Sequence, residues 1–339
     1  MNIPGAPMSK TQARLALSRR LVLGAGLAAV GAGPAFAERK PLVPPPALGP
    51  LAPSWLNAEV IPLWPGRPPN GDFRTQPVPA GFPPGFFRNV AKPSLHVFRP
   101  AKSNGRAVLT APGGAYSFVV GTHEGAAVAE ALAARGYTVF VLIYRLPGEG
   151  WSDFWDVPLQ DAQRAMRLVR ANAARFGFDP AQVAALGFSA GGHLIASLAT
   201  DHAETLYPAG DAADALGARP SAVGLIYPVI TLETPYTNPQ TRLSLLGPSP
   251  SADLVARRSP QRHVSAATPP CFLVHALDDT AVPPQNSLMM LEALRTAGVR
   301  AEAHFLEEGG HGFGLGSPEA PDGQWLGLFD LWLGRAMAG

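Results

Sequence analysis

Residues 183–192 read Val183-Ala184-Ala185-Leu186-Gly187-Phe188-Ser189-Ala190-Gly191-Gly192. The first six form an apolar, strand-forming run, and the residues from 192 to 200 carry helical spacing. Gly187-Phe188-Ser189-Ala190-Gly191 is therefore a G-x-S-x-G placed where a strand ends and a helix begins. A sharp turn at such a junction holds its serine in a strained backbone conformation. Glycines must flank it because a side chain there would collide with the neighbouring strand and helix. The junction predicts a strained, nucleophilic serine at position 189.

Working outward, short β-rich runs at 94–98, 107–111, 137–144, 183–188, 222–227, 271–275 and 303–306 alternate with amphipathic stretches at 124–134, 159–176, 192–200 and 287–297. This alternation predicts an α/β domain with a mostly parallel sheet covered on both faces. Val139-Phe140-Val141-Leu142-Ile143 is apolar throughout, as a strand buried on both sides requires. In such sheets reactive residues collect on loops beyond the carboxyl ends of the strands. Residues 230–268 have weak periodicity and turn signals such as Asn238-Pro239 and Gly247-Pro248, and read as a small insertion within a catalytic domain spanning 91–339.

A serine hydroxyl is a poor nucleophile until a base takes its proton, so a histidine held by a carboxylate must stand in another loop. His311, within Gly309-Gly310-His311-Gly312, follows the last expected strand and is the candidate base. His275 and His304 lie within strands and read as packing residues, and His193 as support for the helix start. The carboxylate should come from the loop after the preceding strand, where Asp278-Asp279-Thr280-Ala281-Val282-Pro283 offers two aspartates. Asp279 fits the D-x-x-V-P arrangement, with Asp278 as the turn-former. Negative charge developing on the substrate oxygen needs backbone N–H donors. Ala190 follows the nucleophile, and Pro112-Gly113-Gly114-Ala115-Tyr116 follows strand 107–111, which makes Gly114, Ala115 and Ala190 the expected oxyanion donors and Gly113 a reserve. Tyr116 and Trp151 are candidate substrate contacts, the latter in an aromatic loop with Phe154 and Trp155 whose rings could stack on sugar faces. Glu124 and Arg145 are expected to form an ion pair behind the oxyanion loop.

From about residue 90 onward, Pro112 to Tyr116, Tyr144-Arg145-Leu146-Pro147, the Ser189 turn, Asp279 and His311 resemble the α/β-hydrolase superfamily. The likeness is to its bacterial acetyl esterase and acetylxylan esterase-like branch, related to hormone-sensitive-lipase-type esterases. In that wider group the oxyanion motif often begins with His and has three glycines; here Pro112 and Ala115 stand at the first and last positions. The resemblance implies a three-layer fold with an eight-stranded, mostly parallel sheet, and cofactor-free ester hydrolysis through an acyl-enzyme. Its substrates would be short acyl esters, acetyl above all, on oligosaccharides such as those of xylan. The same three residue types also serve general carboxylesterases and serine peptidases, but no propeller-like repeat is present. A non-catalytic binding protein on the same fold would not need the full set.

Composition narrows the field. Of 339 residues, 27 are basic and 25 acidic, but Lys10, Arg14, Arg19 and Arg20 lie in the first 37 residues, which hold no acid; the remainder is net −2. No basic run is left for a phosphate backbone, so nucleic acid is not an expected partner. One cysteine, Cys271, excludes an internal disulfide framework and a cysteine-based zinc cluster. No His/Asp grouping has metal-ligand spacing. The segment 1–37 combines basic residues, an apolar run over 21–33 and Ala35-Phe36-Ala37 before Glu38, so it reads as a cleaved export signal that leaves no stable membrane anchor and a periplasmic or secreted product. Ser18-Arg19-Arg20-Leu21-Val22-Leu23 resembles the twin-arginine signal. Residues 38–90 form a proline-rich arm, with 14 prolines between 38 and 84. That density predicts neither helix nor central strand, while Trp55, Leu63, Trp64 and Phe73 predict packing along the domain surface.

Overall fold

A computed structural model describes residues 51–338. The expected export signal at 1–37 lies outside the described residues. Among the described residues are the strands β1 (Glu59–Pro62), β2 (Phe86–Phe87), β3 (Ser94–Phe98), β4 (Ala107–Ala111), β5 (Val119–Val120), β6 (Thr138–Ile143), β7 (Val183–Phe188), β8 (Val223–Ile226), β9 (Cys271–Ala276) and β10 (Ala301–Leu306). The helices are α1 (Pro53–Leu56), α2 (Ala127–Ala133), α3 (Val157–Ala171), α4 (Ala173–Phe176), α5 (Ser189–Thr200), α6 (Pro239–Leu246), α7 (Ala252–Arg257), α8 (Gln285–Thr296) and α9 (Trp325–Ala336). None of them is long and apolar enough to cross a membrane.

Eight strands form one sheet in the order β1-β3-β6-β4-β7-β8-β9-β10, and β2 pairs separately with β5. Strands β4, β6, β7, β8, β9 and β10 run parallel, while β3 pairs antiparallel with both β6 and β1. Every residue of β4, β6, β7, β8 and β9 is buried. That explains their continuous apolar sequence: both faces of the sheet are covered. Helices α2 and α9 lie on one face, where Asp330 of α9 accepts at 2.7 Å from the hydroxyl of Tyr137 just before β6, and α3, α5 and α8 cover the other. Fully buried Phe272, Phe329 and Trp325 knit α9 to the sheet. Each such side chain contributes about 1.5–3 kcal/mol relative to exposure.

The arm departs from the expectation of neither helix nor central strand in one respect, and its one sheet strand lies at an edge. Pro53–Leu56 makes one turn of helix, which proline permits because it occupies the first turn, where no amide partner is needed. Glu59–Pro62 supplies the sheet's eighth strand, at an edge where Pro62 costs no ladder bond. Trp55 stacks on His96 at 4.2 Å, Leu63 is fully buried, and the Trp64 indole N–H donates to Asp161 at 2.9 Å. Arg145 does not pair with Glu124. Its guanidinium grips Asp161 at 2.8–3.0 Å and the Pro69 carbonyl at 2.6 Å, lying between the rings of Trp64 and Trp151. It thereby fastens the arm to α3 through a buried ion pair that neither partner can leave without stranding a charge.

Candidate active site

β7 ends at Phe188, and Ser189 begins α5 with φ +52°. The cost of that backbone is borne by close packing: a Cβ at Gly191 would lie 2.1 Å from the Ala111 carbonyl oxygen, and one at Gly187 2.3 Å from that of Gly191. Helix α5 thus abuts the end of β4, and only glycine fits the junction.

Ser189 Oγ lies 2.8 Å from His311 Nε2, and His311 Nδ1 lies 2.7 Å from Asp279 Oδ2. Asp279 Oδ1 accepts the amides of Ala281 at 2.9 Å and Val282 at 2.8 Å. Buried His275 stands 3.3 Å from the same Oδ2 that faces His311, and its ring is held by the Val282 carbonyl and the Ser287 hydroxyl. Burial by itself would raise the Asp279 carboxyl. The hydrogen bonds from His275 and His311, the His311 charge and the Val282 amide outweigh it and keep the group below the usual carboxylate range. An ionised Asp279 accepts from Nδ1–H, which leaves Nε2 free to accept from Ser189. Asp278 is more than a turn-former: its Oδ1 accepts the Gly310 amide at 2.8 Å and so fixes the loop that carries His311.

On the other side of Ser189, Gly114, Ala115 and Tyr116 have consecutive φ values of +129°, +52° and +55°. The reserve donor Gly113 is already engaged, its amide donating to Glu124 Oε2 at 2.7 Å. Among the described residues no backbone acceptor takes the amides of Gly114 or Ala115.

Tyr116 does not contact substrate space. Its side chain is buried, and its hydroxyl meets His193 Nδ1 at 2.8 Å. The His193 Nε2 partner is the Arg258 carbonyl at 2.8 Å, which only accepts, so Nε2 carries the proton and Nδ1 accepts from Tyr116. Burial pushes the His193 ring down to about 4, keeping it neutral. Tyr116 and the Tyr144 hydroxyl, which donates to the Pro112 carbonyl at 2.8 Å, pin the turn from beneath. Trp151 is likewise buried, with Arg145 over its ring at 4.9 Å and Phe73 6.0 Å away, so it has no face left for a sugar.

Sequence reasoning missed the role of Glu124, which is 3% exposed. Besides Gly113 it accepts from the Tyr227 hydroxyl at 2.9 Å, and that hydroxyl accepts the Gly314 amide at 3.0 Å. Burial, then the Glu124 charge, drives the Tyr227 phenol far up, so it stays a donor. One carboxylate therefore ties the turn after β4 to the histidine loop. Neither residue stands in a motif whose spacing could have shown this. If the bridge sets both loops, Glu124→Gln, which exchanges one acceptor for a donor, should lower kcat by about 10–100-fold with KM less affected. Steady-state kinetics check this, and an unchanged kcat would remove the bridge from the site. Among the described residues no group of three or more His, Cys, Asp or Glu could hold a metal ion. What the assembly can do is present an oxygen nucleophile beside a base, next to a turn in which the amides of Gly114 and Ala115 have no backbone acceptor among the described residues.

Residues 95–294 match the BD-FAE family. The acetylxylan esterase of Xylanibacter ruminicola is 33% identical over 230 residues, covering 67% of this chain and 45% of that protein. Endo-1,4-beta-xylanase B of Butyrivibrio fibrisolvens is 34% identical over 220 residues, 65% of this chain and 34% of its own length. The chain thus spans less than half of these two curated relatives. The crystal structure of an acetyl ester-xyloside bifunctional hydrolase from Caldicellulosiruptor lactoaceticus superposes with a TM-score of 0.71 at 33% identity, over 82% of this chain and 96% of that one. The chain belongs to the BD-FAE family, in the acetyl esterase and acetylxylan esterase-like branch of the α/β-hydrolases.

Proposed function

We propose that the protein is a serine carboxylesterase that removes short acyl groups, acetyl above all, from carbohydrate such as xylan oligosaccharides. The observation that carries this reading is the unbroken hydrogen-bond chain Ser189–His311–Asp279 beside the turn after β4, where a Cβ at Gly113 would lie 2.8 Å from Ser189 Cβ. The names of the relatives, an acetylxylan esterase and an acetyl ester-xyloside hydrolase, support the choice of acyl group and alcohol.

In this mechanism Ser189 Oγ attacks the ester carbonyl carbon as His311 Nε2 takes its proton. Asp279 holds the imidazole in the required tautomer and stabilises the imidazolium that forms. The carbonyl oxygen becomes an oxyanion that accepts from the amides of Gly114, Ala115 and Ala190, each such donor being worth about 2.7–4 kcal/mol in the transition state. Collapse breaks the bond to the alcohol oxygen, which takes the proton from His311 and leaves as the free sugar hydroxyl. Water then repeats the sequence on the acyl-enzyme, releasing acetate and restoring Ser189.

The test is hydrolysis of p-nitrophenyl esters from acetate to octanoate, with acetylated xylan run in parallel. The expected result is a sharp acetate optimum with acetate released from the polymer. Activity that peaks on longer chains without release from xylan would make the protein a general carboxylesterase.

A further inference from the structure

We propose that the alcohol side of the site is an aromatic shelf built jointly by the arm and the turn after β4, and that it takes the pyranose ring carrying the ester. This inference rests on the esterase reading above. Phe86 and Phe118 stack nearly parallel, 4.9 Å apart at 10°, and Phe82 stands edge-on to both at 6.2 and 5.7 Å. All three are only half-buried and stand outside the hydrophobic core, whereas the neighbouring Phe87 packs against it. Rings held half-open away from the core are not accounted for by folding alone.

Their position is fixed by two anchors. β2 pairs with β5 through Phe86↔Val120 and Phe87↔Val119, and the Gly121 amide donates to the Gly85 carbonyl at 2.9 Å. At the other end Phe118 lies against the candidate oxyanion turn. A Cβ at Gly114 would sit 2.1 Å from the Phe118 carbonyl oxygen and 2.8 Å from its ring, while one at Gly113 would sit 2.8 Å from Ser189 Cβ. The strip continues through His123, 6.4 Å from Phe86, to Gly314 of the histidine loop, whose Cβ would lie 3.2 Å from the His123 ring. The rings therefore run from the candidate oxyanion turn to the loop that carries His311.

An acetyl group needs only a small enclosed space, but a polymeric alcohol must remain in solvent beside the nucleophile. A solvent-facing rim accordingly belongs to the alcohol. A sugar ring has an apolar C–H face and a hydroxyl edge, and the rim supplies partners for both. Next to Phe118, Ser117 Oγ lies 2.9 Å from Ser244 Oγ, and Gln240 Nε2 donates to both hydroxyls at 3.0–3.3 Å. Helix α6 thus sets an amide and a hydroxyl against Ser117, the residue before Phe118, polar partners that a sugar hydroxyl edge can use and a lipid chain cannot.

The test measures KM for acetylated xylobiose and for ethyl acetate, a ringless ester that cannot stack, in the unmodified protein and in Phe86→Ala, Phe118→Leu and Phe82→Ala. The expected result is that the ratio of the two KM values, sugar ester over ethyl acetate, rises about tenfold in the first two. Phe82→Ala, farthest from the turn, should move it in the same direction and keeps the test open should a change at Phe118 disturb Gly114. A ratio that stays within about twofold in all three variants, with turnover of both esters intact in the unmodified protein, overturns the shelf and leaves the esterase reading standing. An unmodified protein that hydrolyses neither ester overturns the esterase reading and the shelf with it.

Discussion

Ser189→Ala should reduce kcat on a short-chain ester by about 10⁶-fold, the scale seen when the nucleophile of a serine–histidine pair is removed. The structure makes this a change of chemistry and not of fold. The Ser189 side chain makes one hydrogen bond, to His311, and the turn around it is held by Gly187 and Gly191 against β4. Alanine at φ +52° is as strained as serine, and the lost hydroxyl leaves no buried group unpaired, because the His311 side chain is 24% exposed to water. The melting temperature should therefore stay where it is. The variant should also lose all labelling by a fluorophosphonate. Turnover within about a hundredfold of the unmodified protein would mean that another group attacks the ester and that Ser189 is a bystander.

The sheet was legible because its strands are buried on both faces. β4 and β7 fall on the residues expected from their mostly apolar runs, every position of which is buried, and β3 falls on its expected residues although Ser94 and His96 interrupt it. β1 escaped notice because an edge strand of four residues, alternately exposed, lies among prolines and takes its definition from pairing with β3, not from its own composition. Helices α6 and α7 were hidden for a related reason. Asn238-Pro239 looked like a turn, yet Asn238 caps α6 by accepting the Thr241 amide at 2.8 Å with Pro239 at the first helical position; Ser251 caps α7 in the same way. Caps and turns use the same residues, and weak periodicity gave no means of separating them. In the site, Ser189, His311 and Asp279, which the structure brings together, each sit in a short motif, while the bonds joining separate loops leave no such trace in the sequence. Glu124 was assigned to Arg145 by charge, but the fold gives Arg145 to Asp161 and places Glu124 among neutral donors. Tyr116 and Trp151 were placed by neighbourhood in sequence, and only packing shows that both rings turn inward.

The paired aspartates offer the sharper test of mechanism, because they are adjacent in sequence and differ in what they hold. Asp279→Asn should lower kcat by about 10⁴-fold. An amide in that position can still accept the Ala281 and Val282 amides through its oxygen, so the loop keeps its shape. Its NH2 group then faces His311 Nδ1 and favours the tautomer with the proton on Nε2, where it opposes transfer from Ser189. Asp278→Asn retains an oxygen for the Gly310 amide and should cost less than about tenfold, through a slightly looser histidine loop. Asp279→Asn should also behave differently in acid. The Asp279 carboxyl is held below its usual value of 3.8, so its interactions stabilise the fold fully above that value and lose this effect as pH falls through the depressed folded value. Asp279→Asn cannot titrate and should show a shallower loss of stability below about pH 4 in urea unfolding than the unmodified protein. Kinetic losses of equal size in the two variants would mean that both aspartates act only by shaping the loop, and a larger loss at Asp278 would transfer the orienting role to it.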